Sequence, residues 1–167
     1  MLKRIYIVTG ANGFLGNNVV RRLLQEEQNE VRALVLPDDE LNSLNGLNCK
    51  IYYGDVTNKE TLKEIFTINE KAEVYVILIH CAAIVFIKSK HDSKMYEVNF
   101  GGTKNIIDNV LKINAKLVYV SSVHAIEEKE NNEVITETTD FNPDNVEGMY
   151  AKTKAETAKY FFWNDKK

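Results

Sequence analysis

Short apolar runs alternate along the chain with longer segments whose apolar residues recur at helical spacing. The runs are rich in β-branched residues and predict strands over 5–8, 31–36, 50–53, 74–79 and 116–120. The longer segments predict helices over 14–26, 58–69, 92–113 and 147–163. Because strand and helix alternate throughout, the pattern predicts a parallel sheet with helices on both faces.

Connections between parallel strands are right-handed, so we expect a doubly wound α/β sheet with strand order 3-2-1-4-5, in three layers. Residues 127–145 are polar and without period, which predicts a long surface loop of a kind that is frequently functional. Gly101 and Gly102 lie inside a predicted helix and indicate close packing against the sheet. No linker divides the chain, so residues 1–167 are expected to form one domain.

Composition narrows the class of protein. The chain has 167 residues, 44% apolar and 27% charged, with a net charge of -3, which is ordinary for a soluble globular protein. It has no basic stripe, no apolar stretch long enough for a signal peptide or a membrane span, and no metal-ligand spacing. Cys49 and Cys81 are isolated. We therefore expect a cytoplasmic protein that binds no metal, no nucleic acid and no membrane.

Three glycines lie where the first strand meets the first helix. Glycine permits a tight turn there, close approach of the backbone to a phosphate, and close packing of helix on strand. The helix N-terminus adds N–H groups and a partial positive charge. A tight turn without a ligand is the alternative. The pattern favours a dinucleotide site formed by Gly10, Asn12, Gly13, Phe14, Leu15 and Gly16.

Tyr150 and Lys154 are four residues apart on the last predicted helix, so both project from one face. A phenol ordinarily keeps its proton up to about pH 10, and a nearby ammonium favours the phenolate. This spacing often arises by chance, and an exposed surface pair is the alternative. Ser122 follows the fifth strand and can donate a hydrogen bond to a reacting oxygen, with Ser121 as the alternative. His124 is a lower-ranked candidate for the same region.

The sequence Thr-Gly-Ala-Asn-Gly-Phe-Leu-Gly at 9–16 resembles the fingerprint of the extended short-chain dehydrogenase/reductase superfamily. Its members include nucleotide-sugar epimerases and dehydratases, dihydroflavonol reductases and 3β-hydroxysteroid dehydrogenases. Further stretches resemble the superfamily in the same order, at 54–56, 80–83, 98–105 and 120–122. The resemblance covers the whole chain but only the N-terminal half of a typical member.

The resemblance implies a Rossmann-type NAD(P)-binding domain and adds residues to the cofactor site. It implies that Asp55 and Val56 lie at the adenine ring. It implies that Ala82 and Ala83 line the cofactor after the fourth strand. It also implies a structural or proton-relay role for Asn99.

The resemblance implies roles for the three catalytic candidates. Ser122 polarises the substrate carbonyl, Tyr150 acts as general acid and base, and Lys154 holds the nicotinamide ribose while acting on Tyr150. Tyr150 and Lys154 thereby belong to the cofactor site as well. In relatives, the helices equivalent to 92–113 and 147–163 form a dimer interface, so a homodimer is expected.

The end of the second strand bears on the choice of nicotinamide cofactor. An acidic residue there binds the ribose 2′-hydroxyl, and an arginine favours a 2′-phosphate. Leu36 occupies the strand end, and the nearby Asp38, Asp39 and Glu40 would repel a 2′-phosphate. Arg32 lies inside the strand and is expected to point to a helix face. The sequence favours NAD and leaves NADP open.

The implied function is an NAD(P)-dependent oxidoreductase that transfers hydride to or from a carbonyl or hydroxyl group of a small molecule. Residues 121–125 resemble the dihydroflavonol and hydroxysteroid branch and lack the Val-Tyr-Gly common in sugar epimerases. The alternatives are a nucleotide-sugar epimerase or dehydratase that recycles NAD, or a cofactor-binding piece without activity of its own. Since family members are commonly longer, we expect a truncated chain whose substrate lobe is absent.

Overall fold

Five parallel strands form a single sheet in the computed structural model, which describes residues 3–70, 73–85, 93–129 and 133–165. The strands are β1 (Lys3–Thr9), β2 (Asn29–Val35), β3 (Lys50–Tyr53), β4 (Val74–His80) and β5 (Lys116–Tyr119). Their order is β3-β2-β1-β4-β5, and every pairing is parallel. The predicted α/β fold, with helices flanking a sheet ordered 3-2-1-4-5, is confirmed.

The helices follow the predicted segments with shifted ends. They are α1 (Phe14–Leu23), α2 (Ser93–Tyr96), α3 (Thr103–Lys112) and α4 (Met149–Asp165). Asp92, where the third predicted helix begins, lies outside the described residues. Short 3-10 turns occur at Leu41–Ser43, Lys59–Leu62, Val123–Ala125 and Pro143–Asn145. No helix in the described ranges is both long and apolar enough to cross a membrane.

A π-helical turn, Glu97–Gly102, joins α2 to α3 inside the predicted long helix. A Cβ added to Gly101 would meet nothing within 4 Å, so the close packing predicted at that glycine is wrong. Gly102 is buried. Glycine is a poor α-helix former, and a wider turn at this pair is consistent with that propensity.

The helix predicted over 58–69 is wrong, because this segment forms the 3-10 turn Lys59–Leu62 followed by irregular turns. The Thr61 hydroxyl lies 2.8 Å from the Asn58 carbonyl and 3.0 Å from the Asp55 N–H. Such bonds from side chain to backbone compete with the hydrogen bonds of an α-helix. The apolar residues that gave the helical period are nevertheless buried: Leu62, Ile65 and Phe66.

The chain divides into two compact units. The sheet unit comprises residues 1–82 and 105–120 and contains all five strands with α1. The helical unit comprises residues 83–104 and 121–167 and contains α2, the π turn and α4.

Strand β2 shows how the sheet unit is packed on both faces. Val31, Ala33 and Val35 belong to one buried cluster, together with Val20 of α1. Arg32 points to the other face, where its Nη1 donates to the Ile65 and Thr67 carbonyls at 2.9 and 2.8 Å. Each buried aliphatic side chain contributes about 1.5–3 kcal/mol relative to exposure. Arg32 therefore meets irregular backbone at residues 65 and 67, not the α-helix expected there.

Glu30 of β2 is the centre of an ion-pair cluster in the sheet unit. Its carboxylate lies 3.0 Å from Lys3 Nζ, 2.9 Å from Lys50 Nζ and 2.9 Å from Arg32 Nε. Burial raises the pKa of Glu30, but hydrogen bonds from Lys50, Arg32 and Lys3 outweigh it and lower that pKa to about 2. The cluster therefore ties the ends of β1 and β3 to β2 while Glu30 is ionised.

The helical unit has its own small core. Its buried members are Ala125, Phe141, Val146, Ala151, Ala155 and Ala158. Ala151, Ala155 and Ala158 recur at helical spacing and form a buried stripe of α4. The Phe162 ring stacks on Phe141 with centroids 5.6 Å apart. Of the loop predicted over 127–145, residues 127–129 and 133–142 form neither helix nor strand, Pro143–Asn145 form a 3-10 turn, and 130–132 lie outside the described residues.

Candidate active site

The glycine turn, residues 9–16, connects β1 to α1 in the sheet unit. Gly10 has φ +60°, and a Cβ on it would lie 2.9 Å from the backbone N and Cα of Ala82. A Cβ on Gly16 would lie 2.1 Å from the Gly10 carbonyl oxygen. Both positions therefore require glycine, the first for its conformation and both for close approach.

Gly13 differs from its two neighbours in the motif. Its backbone is extended, with φ -77° and ψ 169°, and an added Cβ would meet only the Gly10 carbonyl oxygen at 3.3 Å. Among the described residues, no side chain caps the α1 N-terminus that begins after it. Phe14 and Leu15 are 92% and 47% exposed. The first turn of α1 is therefore exposed. The backbone conformation of Gly13, directly before it, does not itself require glycine.

Asn12 connects the glycine turn to the segment after β2. Its Nδ2 donates to the Glu40 carbonyl at 2.9 Å, and its Oδ1 accepts the Ser43 hydroxyl. Asn17 of α1 donates to the Ser43 carbonyl at 2.7 Å. These bonds fix the turn, and a cofactor contact of Asn12 stays a prediction.

The residues that bear on cofactor preference lie along and after β2. Leu36 is 48% exposed and its N–H donates to Asp39 Oδ2 at 3.3 Å. Arg32 is buried, and its guanidinium is engaged by Glu30 and two backbone carbonyls. Arg32 is therefore used within the sheet unit.

Asp55 and Val56 follow β3, as the motif predicts. Asp55 Oδ1 accepts the Thr57 N–H at 2.8 Å. Val56 is buried, and its carbonyl accepts Nδ2 of Asn105 from α3 at 2.9 Å. Side chains of the sheet unit thus hold this segment at the carboxyl end of the strand.

Ser122 belongs to the helical unit and is partly buried, whereas Ser121 is exposed. Ser122 Oγ accepts the His124 N–H at 3.2 Å and caps the turn Val123–Ala125. Both serines border a cavity of about 730 Å³. The rest of its lining is Val123, Ile126, Glu137, Thr138, Thr139, Phe141 and Phe162. The choice between the two serines stays open.

Tyr150 and Lys154 share one side of α4, as their spacing predicts. Lys154 is 4% exposed, and its Nζ lies 6.0 Å from the centroid of the Tyr150 ring. The His124 ring meets the Tyr150 ring edge to face, with centroids 6.4 Å apart. A cation at this distance from an aromatic ring is attracted to it. The structure thus places His124, the lower-ranked candidate, against Tyr150.

Asn99 lies in the π turn and is 2% exposed. Its Oδ1 accepts the Ile84 N–H at 2.8 Å, and its Nδ2 donates to the Ile84 carbonyl at 2.9 Å and to Thr153 Oγ1 at 3.2 Å. The Thr153 hydroxyl donates to the Tyr150 carbonyl at 2.8 Å. Asn99 therefore holds the α4 turn that carries Tyr150 and Lys154. Ala83, just before Ile84, is partly buried.

Thr153 is a residue that the motif analysis missed. It is fully buried one position before Lys154, and Thr157, one turn further along α4, is 1% exposed. The Thr157 hydroxyl lies 2.7 Å from the Thr153 carbonyl and 3.2 Å from the Asn99 carbonyl. The available signal was two threonines four apart on the face of α4 opposite its alanine stripe.

Two aromatic contacts involve the helices of the predicted dimer interface. Phe100 lies 5.3 Å from Tyr96 and 6.0 Å from Tyr160 between ring centroids. The homodimer stays a prediction. Within the described ranges, no three His, Cys, Asp or Glu side chains come together as metal ligands would.

Comparisons with known proteins agree with this arrangement. A model of the 3-beta hydroxysteroid dehydrogenase/isomerase family matches residues 7–165. Mouse 3 beta-hydroxysteroid dehydrogenase type 7 is 31% identical over 130 residues, covering 73% of this chain and 33% of the mouse protein. Sterol demethylase protein B of Methylococcus capsulatus is 30% identical over 121 residues, covering 72% of this chain and 35% of that protein.

A solved structure shares the fold. The UDP-glucose 4-epimerase of Thermus thermophilus, in complex with NAD, superposes with a TM-score of 0.79 at 24% identity. The match covers 97% of this chain and 51% of the epimerase. The chain thus spans 33% and 35% of the two sequence relatives and about half of this structural one.

Proposed function

The chain belongs to the 3-beta hydroxysteroid dehydrogenase/isomerase family, and we propose that it is the cofactor-binding part of an NAD-dependent oxidoreductase acting on a carbonyl or hydroxyl group. The predicted membership of the extended short-chain dehydrogenase/reductase superfamily is confirmed. Residues 1–167 are proposed to form the dinucleotide-binding domain, and a substrate lobe would be supplied by further sequence.

Gly13 is the observation that carries this proposal. Its extended backbone is open to any residue, and a Cβ there would have one close neighbour, the Gly10 carbonyl oxygen at 3.3 Å. The missing side chain therefore leaves room outside the fold, directly before the uncapped N-terminus of α1. Backbone N–H groups at a helix N-terminus bind phosphates. We infer that Gly13 makes room for the pyrophosphate of a dinucleotide.

The proposed preference for NAD rests on charge. A 2′-phosphate needs a cation near the end of β2, and Arg32, the arginine of that strand, is engaged by Glu30 and by two carbonyls. The acids that follow the strand, Asp38, Asp39 and Glu40, would repel a phosphate. An unphosphorylated ribose avoids that repulsion.

The proposed chemistry assigns a proton to Tyr150 and charge stabilisation to its neighbours. When bound, a nicotinamide cofactor supplies or accepts the hydride. Tyr150 Oη gives a proton to the reacting oxygen during reduction and takes it back during oxidation. The Lys154 ammonium, whose Nζ lies 6.0 Å from the centroid of the Tyr150 ring, stabilises developing negative charge, and Ser122 Oγ donates a hydrogen bond to the reacting oxygen.

The cavity at Ser122 supports a small substrate with apolar character. Phe141, Phe162 and Ile126 contribute apolar surface, while Glu137 contributes a carboxylate. A negative charge there disfavours the diphosphate of a nucleotide sugar, because like charges repel. We therefore propose reduction or oxidation of an uncharged ketone or alcohol over epimerisation of a nucleotide sugar.

The test is titration of the chain with NADH and NADPH, followed by nicotinamide fluorescence. We expect saturable binding, tighter for NADH, and at least tenfold weaker binding in Gly13→Ala. Gly101→Ala is the matched control, since it adds the same methyl group where nothing lies within 4 Å. A folded chain that binds neither nucleotide, or Gly13→Ala binding like wild type, would contradict the proposal.

A further inference from the structure

The last residues of β1 and β4 meet through their side chains. Thr9 and His80 are opposite each other in the parallel register and are 0% and 1% exposed. Thr9 Oγ1 lies 2.6 Å from His80 Nδ1, and it accepts the N–H groups of Cys81 and Ala82, each at 3.2 Å. The hydroxyl of Thr9, the residue directly before Gly10, therefore has three hydrogen-bond partners.

Counting donors fixes the direction of each bond. A threonine hydroxyl has one proton to donate and two lone pairs that accept. The backbone N–H groups of Cys81 and Ala82 can only donate, so they occupy both lone pairs. The hydroxyl proton is left for His80, and Nδ1 must accept it. An imidazole whose Nδ1 accepts is neutral only if its proton is on Nε2.

We propose that Thr9 and His80 are positioning residues for the glycine turn, with His80 held as the neutral Nε2–H tautomer. Gly10 packs directly against the Ala82 backbone, and the Ala82 N–H is anchored on the Thr9 hydroxyl. The Thr9 hydroxyl thus sets the spacing between the glycine turn and the segment after β4, both of which are assigned to the cofactor site. The role in cofactor binding rests on the proposed function, but the tautomer does not.

Strand β5 fixes the other side of the histidine. The His80 ring stacks on Tyr119 with centroids 6.1 Å apart and planes at 26°. The His80 carbonyl accepts the Val120 N–H at 3.2 Å. With ring and backbone both held, His80 presents Nδ1 to Thr9 in one orientation, and the hydroxyl proton has a fixed direction.

The tautomer is tested by long-range ¹H–¹⁵N NMR of the histidine rings near pH 7. We expect His80 to show a protonated Nε2 and an unprotonated Nδ1, with its signals identified by their loss in His80→Asn. If that variant fails to fold, selective labelling and contacts to Tyr119 identify the ring instead. A protonated Nδ1 in His80 would overturn the assignment.

Positioning is tested with Thr9→Val and Thr9→Ser, measured well below their melting temperatures. Valine removes the hydroxyl at nearly constant shape, so we expect roughly tenfold weaker NADH binding and faster exchange of the Cys81 and Ala82 amides. Serine keeps the hydroxyl and should restore both to within about threefold of wild type. Thr67→Val, the same change at an exposed hydroxyl that donates to Lys63, should alter neither.

The outcomes separate the two proposals. A wild-type chain that binds no NADH would contradict the proposed function, while amide exchange in the Thr9 variants would still decide positioning. Thr9→Val with wild-type exchange and binding would overturn the positioning role, and so would a serine variant as impaired as the valine one. If Thr9→Val fails to fold, Thr9→Ser decides: restored exchange and binding support the role, and impairment overturns it.

Discussion

The sheet unit and the helical unit hold their candidate residues by different physical means. In the sheet unit, Gly10 and Gly16 are required because backbone atoms would lie 2.9 and 2.1 Å from an added Cβ. In the helical unit, Asn99 and Thr153 hold the turn of Tyr150 and Lys154 through buried hydrogen bonds. Steric exclusion tolerates no substitution, whereas a hydrogen bond can be kept by a smaller side chain with the same group.

The strongest test of this contrast is alanine at Gly16. Its Cβ would lie 2.1 Å from the Gly10 carbonyl oxygen, and the turn cannot yield without moving backbone. We expect a loss of about 4 kcal/mol or more in the free energy of unfolding, measured in urea by circular dichroism. Gly101→Ala in the helical unit should stay within about 1 kcal/mol of wild type. Equal losses of unfolding free energy in Gly16→Ala and Gly101→Ala would contradict this contrast between the two units.

Acid should weaken the sheet unit through Glu30. Because its folded pKa is lowered from 4.5 to about 2, its contribution is complete above pH 4.5 and is lost as the pH falls towards 2. The shift corresponds to a contribution on the order of 3 kcal/mol. Urea unfolding at pH 7 and pH 3 should show Glu30→Gln destabilised mainly at the higher pH. Glu60→Gln, which breaks an exposed pair with Lys63, should cost about 1 kcal/mol or less.

A smaller loss is expected at Asn99. Alanine there leaves the Ile84 N–H and carbonyl without their side-chain partner, which costs about 2 kcal/mol in the free energy of unfolding. Asn18→Ala, which removes an exposed amide from α1, serves as control and should cost less than about 0.5 kcal/mol. In Asn99→Ala, hydrogen exchange of backbone amides should become faster in the helical unit. An effect confined to the sheet unit would contradict the hydrogen-bond account.

Strand positions could be predicted from the sequence because buried parallel strands are short, continuous apolar runs, and strand order followed from the right-handed crossovers between them. The predicted strand over 50–53 coincides with β3, and the other four shift by one or two residues at their ends. The glycine turn was also readable, because Gly10 and Gly16 meet a steric need that only glycine satisfies.

The features that the sequence did not reveal depend on side-chain hydrogen bonds or on contacts with distant residues. The apolar period at 58–69 predicts a helix, yet Thr61 and Asn58 bond the backbone and leave a 3-10 turn. Thr153 looks like an ordinary helix residue until Asn99 lies opposite it.

The bond between Thr9 and His80 has a consequence for the order of folding. The two residues are 71 positions apart in the chain. Parallel pairings of this separation form slowly, because a long loop must close before any contact rewards it. Gly10, α1 and the residues 40–43 that hold Asn12 leave the ribosome early, but Gly10 has no Ala82 backbone to pack on until β4 has been made. The packing of Gly10 is therefore completed only after β4 has joined β1, and a chain halted before residue 80 would carry the motif without its contact to the segment after β4.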